Sequence, residues 1–235
     1  GPLTLTSAPL ATPGAKTLTL AGTNTGANSL PTTSLAGLAE VLTIQKNGAG
    51  TWRINGFSSP KNAWSVTAGT LLVAGGITTG DQNVTVSGGT LAGVGPITLQ
   101  STKSLTVGAA GSLSPGISGA GTMSVAGILN ISAMAGGTGK LNFEMAAPAA
   151  SDKIAVTGTA QIGSGVLGLN DFVFTDLGGL QVTGGTPYKL ITSGGISGSL
   201  DAGNLSGSLG GGLTGALQIT GNDIELVVTG GANNY

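Results

Sequence analysis

A short strand pattern closed by a glycine turn recurs at near-constant spacing, and this recurrence restricts the chain more than any other feature. Ser65-Val-Thr-Ala-Gly-Thr-Leu-Leu returns as Val84-Thr-Val-Ser-Gly-Gly-Thr-Leu and as Leu105-Thr-Val-Gly-Ala-Ala-Gly-Ser-Leu. It returns more loosely as Met123-Ser-Val-Ala-Gly-Ile-Leu. Val66, Val86, Val107 and Val125 are thereby spaced by about 20 residues, a period expected of a solenoid. A unit this short cannot bury its apolar side alone; it does so by stacking on the next copy.

Composition narrows the class. The chain has 235 residues, 45 of them Gly, without a collagen-like three-residue period. Apolar residues make up 40% and charged residues only 7%, the reverse of a disordered chain. Glycine at a turn in every rung, where positive φ or close backbone approach is needed, accounts for the excess. A net charge of −1 argues against nucleic acid as a partner and against a polybasic membrane patch. No run of about 18 apolar residues is present, so no transmembrane helix is expected. No signal peptide stands at Gly1, and the chain reads as processed or trimmed. A near-neutral, Gly- and Thr-rich surface favours association.

Along the chain, residues 1–41 read as N-terminal strands serving as a cap or assembly segment, 42–165 as β-helix repeats, and 166–235 as C-terminal rungs and cap. Leu3-Thr-Leu-Thr and Thr17-Leu-Thr-Leu alternate with the period of half-buried strands. Leu3, Leu5, Leu18 and Leu20 are accordingly candidate assembly residues. Ser34 to Leu42 has Leu35, Leu38, Ala39 and Leu42 at helical spacing, weakened by Gly37; a strand plus loop is the other reading. From Leu42 to Ile131 each unit offers one or two strands, with Val, Ile and Leu inward and Thr and Ser outward. Phe172, Val173 and Phe174, followed by Tyr188-Lys-Leu-Ile, read as a wider or capping section. Asn222-Asp223 lies between two strand patterns as a hairpin turn would.

Little chemistry is on offer. The sequence contains neither His nor Cys, which removes Ser-His-Asp and Cys-His nucleophile systems and imidazole or thiolate zinc sites. Asp171 and Asp176 are the nearest candidates for the two facing carboxylates of a glycosidase, but they read as loop residues flanking a hydrophobic strand. Gly136-Gly-Thr-Gly-Lys140 has a lysine where a calcium-binding repeat needs Asp, and Leu141 where a phosphate loop needs Ser or Thr. Gly163-Ser-Gly-Val-Leu-Gly168 fits a dinucleotide pattern without a helix to continue it. Trp52, Phe57 and Trp64 are the candidate surface-binding aromatics, able to stack on sugars from an extended β-face. The blander reading is that Trp52 and Trp64 cover a rung edge and that Arg53 points outward. No catalytic residue, cofactor or metal is expected.

Two segments resemble a known family. Leu42-Thr-Ile-Gln-Lys-Asn-Gly-Ala-Gly-Thr-Trp-Arg-Ile-Asn-Gly56 and Trp64-Ser-Val-Thr-Ala-Gly-Thr-Leu-Leu-Val73 resemble the autotransporter-associated β-strand repeat, also called the passenger-associated transport repeat. Val86 to Gly95, Gly111 to Gly116, Gly121 to Val125 and Ser151 to Thr159 resemble the region C-terminal to that repeat in large bacterial surface proteins. The repeat occurs once in full here, whereas family members often carry many copies. The resemblance implies an all-β fold, a right-handed parallel β-helix (a β-solenoid), exported and displayed at or beyond the bacterial cell surface. With about seven to nine rungs expected for this length, the expected function is that of a non-catalytic structural protein joining head to tail with copies of itself. The chain shows no obvious polar cap to oppose such joining. The alternative is an autotransporter-type passenger stalk, or an adhesin that binds glycans or host surfaces through Trp52 and Trp64.

Overall fold

The computed structural model describes residues 14–26, 28–34, 41–184 and 186–230. The chain runs through β1 (Lys16–Leu20), β2 (Asn28–Leu30) and β3 (Thr33–Ser34). It repeats this three-strand circuit as β4 (Leu42–Lys46), β5 (Thr51–Ile54), β6 (Phe57–Ser58), then β7 (Asn62–Val66), β8 (Thr70–Val73), β9 (Ile77–Gly80). In the next two circuits the first two strands fuse, giving β10 (Val84–Gly93) with β11 (Ile97–Leu99), and β12 (Ser104–Pro115) with β13 (Thr122–Ala126). They separate again in β14 (Ile128–Asn130), β15 (Leu141–Met145), β16 (Lys153–Val156), and in β17 (Thr159–Leu167), β18 (Phe172–Asp176), β19 (Tyr188–Thr192). β20 (Gly195–Leu200), β21 (Ser206–Gly210), β22 (Leu213–Thr220) and β23 (Asp223–Gly230) complete the described chain.

Like strands of successive circuits pair in parallel, so the architecture is all-β and solenoid-like. The first column is β1-β4-β7-β10-β12-β14-β17-β20. The second runs β2-β5-β8-β10-β12-β15-β18, and the third β3-β6-β9-β11-β13-β16-β19. β23 then joins β19 antiparallel, and β22 and β21 extend it as an antiparallel meander. This meander covers the end of the third column, within the 166–235 segment read from the sequence as C-terminal rungs and cap. The hairpin expected near Asn222 is present, with Thr220 opposite Asp223 and Gly221-Asn222 as its turn. Among the described residues, no helix is long and apolar enough to cross a membrane.

Parallel register stacks like on like. In the second column Trp52, Leu71, Leu91, Leu113, Leu141 and Phe172 form one buried ladder. In the third, Phe57, Ile77, Ile97, Val125 and Val156 form another. Each such aliphatic side chain contributes about 1.5–3 kcal/mol on leaving water. Leu20, Lys46, Val66, Val86 and Val107 form a ladder of the first column.

One expectation changes here, and the residues of another are located. Val125 does not continue the Val66–Val86–Val107 series: it sits in the third column, and Leu129 is the residue that stacks on Leu105. The regular spacing fails because the circuits lengthen. Leu42 and Asn62 are twenty residues apart, whereas Leu129 and Ala160 are thirty-one apart. The additions include the turns between β14 and β15 and a 3-10 turn at Pro148–Ala150. Leu18 and Leu20, the other candidate assembly residues, lie in β1 at the end of the first column. β1 is paired to β4 of its own chain, Leu20 is fully buried and Leu18 packs on the core. Leu3 and Leu5, and the helix-like spacing of Leu35, Leu38 and Ala39, lie outside the described residues.

Some glycines are required by the closeness of neighbouring circuits. A Cβ on Gly75 would collide with the carbonyl oxygen of Asn55, and one on Gly139 with that of Gly111. Gly184 has nothing within 4 Å of such an atom. Gly75→Ala should therefore destabilise the fold by about 1–3 kcal/mol, as overpacking does, while Gly184→Ala stays within experimental error. Urea denaturation of the two variants checks this.

Candidate functional site

The candidate binding aromatics lie inside the molecule. Trp52 and Trp64 are 4% and 2% exposed, because β5 and β7 turn them inward in alternation with outward neighbours. The Trp52 indole N–H donates to the carbonyl of Ala21, 2.9 Å away in the circuit below. Trp64 meets Phe57 edge to face, with ring centroids 5.5 Å apart. Its indole N–H donates to the side-chain oxygen of Asn62, whose amide nitrogen donates in turn to carbonyls of Ser59, Thr78 and Thr79. Neither indole can stack on a sugar, so the adhesin reading loses the residues on which it rested. Arg53 does lie on the outer side of β5, its Nε–H donating to Asn55 Oδ1 at 2.9 Å.

The two candidate carboxylates are held apart by a strand. Asp171 precedes β18 and Asp176 ends it, so five residues at about 3.3 Å each separate them by roughly 16 Å. A facing glycosidase pair spans about 5–9.5 Å. Each carboxylate has a local task. Asp171 is 3% exposed and accepts N–H bonds from Gly136 and Gly168, both 2.9 Å. Asp176 Oδ1 accepts from Gly178, Gly179 and Leu180 at 2.8–3.0 Å. These bonds, Leu180's first, hold the Asp176 carboxyl below its ordinary pKa. The glycine motifs are backbone spacers as well. Gly163 to Leu167 lie within β17 and Gly168 opens only a three-residue 3-10 turn, Leu169–Asp171, too short for a dinucleotide-binding helix; Lys140 Nζ donates to the Asn170 carbonyl at 2.8 Å.

Three buried charged groups escape a reading of motifs: Lys46, Asp152, and Glu225, which accepts from Gln218 Nε2 at 2.8 Å. Lys46 occupies an inward position where the neighbouring circuits have Leu20 and Val66, and it is fully buried. Its stem continues the aliphatic ladder, and its ammonium donates to the carbonyls of Gly48 and, at 2.9 Å, of Ala68. Burial lowers its pKa. The signal in the sequence was a lysine in phase with aliphatic ladder residues, visible only once the register is known.

Asp152, 1% exposed, ties two circuits together. Its Oδ1 accepts from Gly121 N–H at 2.6 Å and its Oδ2 from Glu144 N–H at 2.7 Å. Its own N–H donates to the Glu144 carbonyl at 2.9 Å. Burial pushes its carboxyl up from 3.8 to about 6, against the pull of those two N–H bonds, with the Glu144 charge adding to the rise.

Clefts on the surface are shallow. One of about 340 Å³ is lined by Thr122, Ser151, Lys153, Thr186 and Lys189, and the Lys189 ammonium is already bound to Asp223 at 2.6 Å. Among the described residues, no three His, Cys, Asp or Glu side chains gather as a metal site would require. No buried side-chain N or O of the described residues lacks a hydrogen bond. No protein-family model matches the chain, and no curated protein matches it.

Stability measurements check both placements. Trp64→Ala should cost about 3–5 kcal/mol of stability, the value for emptying an aromatic core site, read from a urea unfolding curve. For Asp152, the folded chain keeps its proton up to pH about 6 whereas the unfolded chain loses it near 3.8. Between those values the native state binds the extra proton, so stability is full below the lower value and declines as pH rises to the upper. Asp152→Asn should lower the unfolding midpoint, since an amide cannot accept both N–H bonds, and should remove that pH-dependent decline. A series of urea midpoints from about pH 3.5 to 7 measures both effects.

Proposed function

We propose that the chain is a non-catalytic building block of an exported structure, at the bacterial surface or in the extracellular matrix, that joins copies of itself along the solenoid axis. On this reading the circuits wind right-handed and form about seven to nine rungs. The observation that carries the proposal is the C-terminal end. The first and second columns stop at β20 and β18, which among the described residues pair only with β17 and β15. Strands left with an unpaired edge are templates for another chain. A contact between unlike ends does not close on itself, so repetition of it makes a fibre.

The sides of the molecule support the same reading. Thr51, Thr70, Thr90 and Ser112 stand in register along the second column, and Ser58, Thr78 and Thr98 along the third. These rows are polar, uncharged and repetitive, as suits a wall rather than a site of chemistry. The resemblance of Leu42 to Val73 to the autotransporter-associated repeat supports export. A passenger stalk is the second version of the same structural role, in which the chain spaces other parts from the cell.

Electron microscopy of the purified chain over a concentration series tests the proposal. Filaments of constant width that lengthen with concentration are expected. Isolated short rods at every concentration would remove self-assembly and leave the stalk.

A further inference from the structure

The uncapped part of the C-terminal end is a shaped slot. A cleft of about 300 Å³ lies there, lined by Leu169, Phe172, Phe174, Gly207, Ser208 and Leu209, with no charged side chain in its lining. One wall is β18, the last strand of the second column; the other is the segment of β21, itself paired only with β22 among the described residues. The amide of Leu177 donates to Met145, so in a parallel ladder the alternate residues Phe174 and Asp176 turn their peptide groups to the open side. Phe172 and Phe174 form the floor, stacked with centroids 5.7 Å apart. Apolar side chains are exposed on β18 and just after it: Val173, Leu177 and Val182 are 42%, 48% and 51% exposed, the three highest values among the large apolar residues described. Exposed apolar groups gathered beside an unpaired strand edge mark an interaction site.

From these features we infer that the slot accepts the N-terminal segment of a second copy as an added parallel strand, with Leu3 and Leu5 over Phe172 and Phe174. The inference rests on the self-assembly proposed above and names its two surfaces. Alternation in Leu3-Thr-Leu-Thr puts both leucines on one side, and the columns below already stack Leu141 on Phe172 and Phe143 on Phe174. One more strand in the same register brings Thr4 beside the exposed Val173. Residues 1–13 carry no charged side chain, matching the uncharged slot. The meander on the third column blocks complete end-to-end stacking of circuits, so a partner strand is added column by column, and β18 is the open edge with an apolar floor.

Donation within one chain would require residues 6–16 to be drawn out to nearly their full length. The added strand would lie seven spacings from β2 along the second column, about 34 Å at ~4.8 Å each. The chain from Thr6 to Lys16 spans about 33–36 Å when fully extended, which leaves little slack for crossing from the first column to the second.

The native chain has no Cys, so a single introduced pair reports on this contact. Full-length Thr4→Cys is mixed with full-length, size-tagged Val173→Cys and oxidised at low concentration. In the inferred register the two Cα atoms lie about 5 Å apart, within disulfide range. A heterodimer is expected with Val173→Cys and not with Val94→Cys, whose parent side chain is 40% exposed on another part of the surface. Adding Leu3→Ser and Leu5→Ser to the donor should abolish the cross-link while its strand circular dichroism stays unchanged. Filaments in the microscope with no preference for position 173 would overturn the slot and leave assembly standing. A preferred 173 cross-link without filaments would uphold the slot and remove the fibre. Neither filaments nor cross-link would overturn both.

Discussion

Main-chain hydrogen bonds between successive circuits set the terms for everything else in the molecule. Parallel strands must lie about 4.8 Å apart, and that distance is imposed on turns as well as strands. Wherever the turn of one circuit lies on the turn below, a side chain is excluded, as Gly75 over Asn55 and Gly139 over Gly111 show. Part of the glycine content is therefore a consequence of stacking, and another part, as at Gly136 and Gly221, serves turns of positive φ with nothing near a Cβ. The same bonds fix register, and register brings leucine over leucine and threonine over threonine without any other device.

A core of stacked ladders has little room for polar groups, and the few it holds are committed to the backbone. Lys46 replaces an aliphatic rung, yet its ammonium reaches carbonyls of two turns. Asp152 and Asp171 each accept N–H bonds contributed by separate segments of chain. Such groups are anchors. Removing one partner leaves a buried donor or acceptor unmatched, which costs about 1–3 kcal/mol, more for a charged group. The perturbed protonation of Lys46 and Asp152 comes from that burial and does not require a reaction to explain it.

Period, glycine turns and inward–outward alternation were legible because each depends on neighbours in sequence. The strands around Val66, Val86 and Val107 stack as their spacing foretold. What depends on the lengths of distant turns was not legible. Val125 fell in the third column because the circuit after β12 is longer, and strands as short as Phe57–Ser58 leave too few residues to show a period. The aromatics misled for a related reason. An isolated tryptophan beside threonines looks exposed until register places it under Leu71 or over Ile44. Ser206–Gly210 carries almost no apolar signal, so the strand that walls the slot could not be found before the fold.

In the proposed assembly, the cap limits which part of the C-terminal end a second copy can meet. An open solenoid end exposes three rows of main-chain groups together with the core they enclose, an invitation to indiscriminate stacking. The antiparallel meander reverses chain direction on the third column alone, and Leu209, Leu213, Leu217 and Leu226 of its strands pack on the core. What remains open beside it are the edge of β20 and the short edge of β18, the latter floored by two phenylalanines. A partner must then bring a single extended segment with apolar residues at alternate positions, a narrower demand than a matching circuit. In the proposed contact, selectivity rests on the apolar floor of that edge, and the strands of the Ser/Thr walls, already paired on both edges, offer no further strand to add to.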